Sequence, residues 1–142
     1  MQSLSSNYLV EIAQQIAFVS AFLGGFSATF LATLIVYSSS KKSTDWAIWC
    51  SAFAASCFIV AVIGSVMLTV VLHPDAPSNA KAGASIITAR IVSGLGFVLG
   101  VYALLGSVGV SGWIRSRKNG IITSTSAGLG VYFVTWALLS FK

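Results

Sequence analysis

The side chains able to move protons, bind metals or attack a carbonyl are few in this sequence: three acids, eight lysines and arginines, one histidine and two cysteines. A nucleophile needs a base within hydrogen-bond reach, and the base needs a group to orient it. The one histidine, His73, stands in a His73-Pro74-Asp75 run that reads as the end of a helix and the start of an external loop, so the serines of the apolar stretches have no histidine partner within the membrane. One histidine excludes bis-histidine haem within a chain, and His73 with Asp75 alone is too small a set for a metal unless subunits share it. The sequence therefore predicts no catalytic residues, no metal and no cofactor, and a protein that is not an enzyme. Cys50 and Cys57 lie seven apart on one helix, sharing a face but separated by about 10 Å of helical rise. That is too far for a disulfide, so they are read as small packing residues.

Hydrophobic residues make up 56% of the chain and charged residues 8%, too few charges to cover a soluble body of 142 residues. Four apolar stretches, at about 8–37, 46–72, 82–110 and 121–141, each supply the roughly 20 residues that cross a hydrocarbon core of about 30 Å. The first is too long for a secretory signal and lacks a basic segment before it. The expected fold is all-α: one transmembrane domain over 1–142, an integral membrane four-helix bundle.

Helix packing is the strongest pattern. In the third stretch Ala82, Ala89, Ser93, Gly96, Gly100, Ala103 and Ser107 recur at steps of four and three, broken only at Ile86. Lipid gives no hydrophobic reward for joining two apolar helices, so association rests on close contact, and small residues permit it. A spacing of 3.5 favours left-handed crossing, while Gly96 and Gly100 also form a small-xxx-small pair. Weaker small stripes are read in the first stretch (Ala17, Ala21, Gly24, Ala28, with Gly25 beside them), in the second (Cys50, Ala54, Cys57, Ala61, Gly64) and in the fourth (Ala127, Gly130).

The net charge of +5 is carried by short segments, not by a face on a folded domain, which argues against nucleic acid. Lys41 and Lys42 lie between Tyr37 and Trp46, and Arg115, Arg117 and Lys118 follow Trp113, the mixture of aromatic and basic residues found at a membrane interface. Both basic segments are expected as loops on one side, meeting anionic lipid headgroups or a partner. By the positive-inside bias that side is cytoplasmic, with both termini extracytoplasmic. Glu11 and Arg90 fall near the opposite interface, where they either pair across the first and third helices or remain separate, with Arg90 reaching to headgroups.

No ionisable residue falls near the midplane, so a proton relay has no parts. Two functions of different kind follow: a homo-oligomer that encloses a narrow pore lined by backbone carbonyls or hydroxyls such as Ser20, Ser27, Ser51, Ser65 and Ser93, or an accessory subunit that anchors a larger membrane partner and conducts nothing.

Overall fold

The computed structural model describes residues 6–36, 42–73 and 83–140, with the backbone alone at 6, 7 and 83–85. Four helices account for nearly all of them: α1 (Ser6–Val36), α2 (Lys42–Leu72), α3 (Gly83–Arg115) and α4 (Arg117–Ser140). All four are long and apolar enough to cross a bilayer, and the chain is a multi-pass, all-α membrane protein. Tyr37, Lys41, Asp75 and Ala82 lie outside the described residues.

Each helix runs antiparallel to the next and packs against it, most extensively α2 with α3, then α1 with α2, then α3 with α4. α1 grazes α3, whereas among the described residues α4 touches neither α1 nor α2. The bundle is thus an open row. Three helices share a centre, and α4 is attached along the far side of α3.

That centre is a seam with a seven-residue repeat. On α2 the buried positions are Thr44, Ala47, Ser51, Ala54, Phe58, Ala61, Ser65 and Leu68, alternating steps of three and four, with Gly64 beside them. On α1 the buried set is Ala13, Ser20 and Ser27, each seven from the next. Such spacing keeps one stripe facing a neighbour along the full length of the helix. Phe58 is the largest fully buried side chain. It fits because glycine faces it from both sides: a Cβ added at Gly24 would stand 3.2 Å from the Cβ of Phe58, and one at Gly100 would stand 2.8 Å from its ring. Phe97 meets the same ring edge-on at a centroid distance of 6.4 Å.

The basic segment after Trp113, expected as a loop, is helical on both sides, and only Ser116 falls outside a helix. Arginine and lysine are good helix formers. A single residue suffices to reverse direction because Gly112 and Gly120 let the two helices meet: a Cβ on Gly112 would overlap the Thr123 hydroxyl and come within 2.6 Å of the Asn119 carbonyl, and one on Gly120 would stand 2.5 Å from the Trp113 indole. Ser116 caps α4, its Oγ accepting from the Asn119 backbone N–H at 3.2 Å. Likewise α2 begins at Lys42, a turn before the expected start, with Asp45 in its first turn where the helix dipole favours an acid.

Candidate functional site

The candidate site is the set of helix surfaces that make contact and those that do not. The stripe of α3 faces α2. Ala89, Ser93, Gly96, Gly100 and Ser107 are buried and Ala103 is half-buried. A Cβ on Gly96 would lie 3.0 Å from the Cys57 carbonyl and 3.1 Å from the Ala61 nitrogen, so here backbone rests on backbone. Facing it, Gly64 admits Ser93, whose backbone nitrogen would be 3.0 Å from an added Cβ. This surface is filled within one chain.

Hydroxyls hold the seam where glycine brings the helices together. Ser65 and Ser93 share a hydrogen bond of 2.6 Å between α2 and α3, and Ser51 donates to the Ser27 carbonyl at 3.0 Å between α2 and α1. In hydrocarbon no water competes for these groups. Ser20 and Ser27 are as deeply buried, yet their own hydroxyl oxygens have no hydrogen-bond partner.

Contacts from α3 to α4 leave from the opposite side of α3. Gly109 lies against Ala127, with 3.1 Å to its Cβ from an added methyl, and Gly130 meets Leu105 at the same distance. Tyr102 and Thr135 share a 2.7 Å hydrogen bond. Nearer the corner, Trp113 donates its indole N–H to Ser124 at 3.0 Å, and Ser124 in turn donates to the Gly109 carbonyl at 3.1 Å. The Thr123 hydroxyl is within 3.0–3.2 Å of the carbonyls of Gly109, Asn119 and Gly120, one proton serving three acceptors in turn.

The α1 stripe is turned from its expected register. Gly24 faces Phe58, but Ala21, Gly25 and Ala28 are exposed, and nothing lies within 4 Å of a Cβ placed on Gly25. The α2 seam likewise runs through Ser51 and Phe58 in place of the half-buried, free Cys50 and Cys57. Serine at seven-residue spacing was the signal in α1, and it is easily passed over when alanine and glycine offer a second stripe one residue away.

Charged groups occupy the two ends. Lys42, Arg115, Arg117 and Lys118 are exposed and, by the antiparallel order, share one end with Trp46, Trp49 and Trp113. Glu11 and Arg90 are exposed at the other end, and the two are not paired. The reason is rotation: Ala13 and Ala89 pack into one cluster with Leu68, which turns Glu11 and Arg90, two and one residues away, out of it. His73 closes the last turn of α2, its N–H on the Val70 carbonyl at 3.3 Å. No group of three or more His, Cys, Asp or Glu arranged for a metal occurs among the described residues. No protein-family model, curated protein or solved structure matches the chain.

Proposed function

We propose that this is a non-enzymatic membrane protein whose work is assembly with further copies of itself. The observation that carries the reading is the open row. α1 and α4 end it without touching, and each displays a glycine, Gly25 and Gly128, with empty space where a Cβ would stand. A glycine in a helix interior costs up to about 1 kcal/mol relative to alanine, a cost usually offset by a close backbone neighbour. A second chain would supply that neighbour.

The hydroxyls favour assembly over conduction. Ser51, Ser65 and Ser93 are engaged in contacts inside one chain, so they are not available to ring a shared axis. The cationic end is proposed to face the cytoplasm, where Lys42, Arg115, Arg117 and Lys118 meet anionic headgroups, each worth about 1 kcal/mol near such a surface. The mass of the protein in mild detergent and in lipid nanodiscs, followed by an ion-flux assay in liposomes, tests the reading. A defined homo-oligomer without flux is expected. A conducting oligomer would favour a pore, and a monomer that gains mass only with another membrane protein would favour an accessory subunit.

A further inference from the structure

We propose that α4 of a second copy packs into the groove between α1 and α2, its large side chains lying over the small residues of α1. The groove, of about 410 Å³, is lined by Ser20, Ala21, Gly25 and Ala28 of α1 and by Ala55 and Ile59 of α2. Ser20 lines it with a fully buried hydroxyl that has no hydrogen-bond partner. Within a bilayer no water reaches such a group, so its partner must come from protein.

The heights of the helices identify the occupant. Gly24, Phe58 and Gly100 meet at one level, and Leu105 with Gly130 and Tyr102 with Thr135 carry the level across to α4. Residue 24 of α1 is therefore level with about residue 136 of α4, and the two helices are antiparallel. Copies in one membrane share an orientation, so the same levels hold between chains. Gly25 then comes opposite Trp136, Ala28 opposite Tyr132 and Ala32 opposite Leu129. All six are exposed. Both sets follow steps of three and four, the spacing that lets two helices stay in contact over several turns. Small faces large at every step, and Tyr132, like Ser20, brings a hydroxyl that makes no hydrogen bond among the described residues. One turn further out, Ser140 arrives at the height of Ser20. Its hydroxyl donates to the Trp136 carbonyl at 2.9 Å, leaving a lone pair to accept from Ser20 after a rotation about the Ser20 χ1.

A contact from α4 of one copy to α1 of another uses the two open ends of the row. Made twice around a two-fold axis along the membrane normal, it closes a dimer; made repeatedly, it closes a larger ring. This surface rests on the self-assembly reading, and the test separates the two. In a chain carrying Cys50→Ala and Cys57→Ala, copies with Ala28→Cys and copies with Tyr132→Cys are reconstituted together and oxidised. The mixture should give several-fold more cross-linked dimer than Ala28→Cys mixed with Leu138→Cys, an exposed position turned away from the proposed face. Gly25→Leu, which meets nothing within its own chain, should leave the monomer folded and shift the mass to monomer. An oligomer by mass with no excess of the 28–132 cross-link, or one that survives Gly25→Leu, overturns the surface and leaves self-assembly standing. A monomer for the unmodified chain overturns both.

Discussion

Whether a glycine can become alanine here depends on what waits at the Cβ position. At Gly96 it is backbone on α2, the Cys57 carbonyl at 3.0 Å and the Ala61 nitrogen at 3.1 Å, which cannot yield without moving the whole helix. Gly96→Ala should therefore destabilise by about 1 to 3 kcal/mol, the usual cost of overpacking. Gly94, two residues earlier, meets nothing within 4 Å. Gly94→Ala should be neutral or stabilising by up to about 1 kcal/mol, because the unfolded chain loses more freedom than the folded one. Thermal unfolding of both variants in one detergent makes the comparison, and equal losses would mean that the α2–α3 contact is looser than described. The Ser65–Ser93 bond calls for a double-mutant cycle instead. Interhelical hydrogen bonds in membranes average about 0.6 kcal/mol, so Ser65→Ala with Ser93→Ala should lose less than the sum of the single changes by roughly that amount. Strict additivity would assign the two serines a packing role only.

Along whole helices, the sequence was legible where one pattern had no competitor. The spans were readable from hydropathy, and α3 buries the stripe read from it because Ala89, Ser93, Gly96 and Gly100 are the small residues on one face. α1 offered two small stripes, and the neighbour chose between them: Phe58 of α2 needs Gly24, which draws Ser20 and Ser27 inward and leaves Ala21, Gly25 and Ala28 outside. In α2 the seam includes a phenylalanine, which a search for small residues excludes by construction. The corner between α3 and α4 was hidden for another reason. A run of charges with glycines at both ends reads as a loop, but Gly112 and Gly120 are there for close approach, and the charges ride on helix. Ser116→Ala should remove the cap and cost about 1 kcal/mol. Gly112→Ala should cost more, since its methyl would displace Thr123 from three carbonyls as well as press on Asn119. Thermal stability ranks the two, and easier proteolysis between Arg115 and Lys118 should accompany the larger loss. The opposite ranking would mean that the cap, not the close approach, holds the corner.

For the molecule as a whole, the proposed orientation rests on the distribution of charge. Lys42 opens α2, Arg115 closes α3, and Arg117 and Lys118 open α4, so four described cations gather at one end although they come from two separate segments of sequence. Glu11 and Arg90 at the far end contribute opposite charges near α1 and α3. Cations close to span ends are retained on the cytoplasmic side, and acids contribute little to the bias. A reporter active only in the cytoplasm should therefore signal when inserted at Ser116, the single non-helical residue of the corner, and stay silent when fused after α4. Replacing Arg115, Arg117 and Lys118 by glutamine should leave only Lys42 of the described cationic end, and a mixed population with both orientations is then expected. The corner does not depend on those side chains, since its bonds run through Trp113, Ser116, Thr123 and Ser124. A changed orientation with unchanged thermal stability would thus attribute the effect to charge and not to a damaged fold. Should the triple variant keep a single orientation with its reporter signal intact, the three charges would not be what orients the chain, and the proposed contact between the cationic end and cytoplasmic lipid headgroups would have to rest on Lys42 alone.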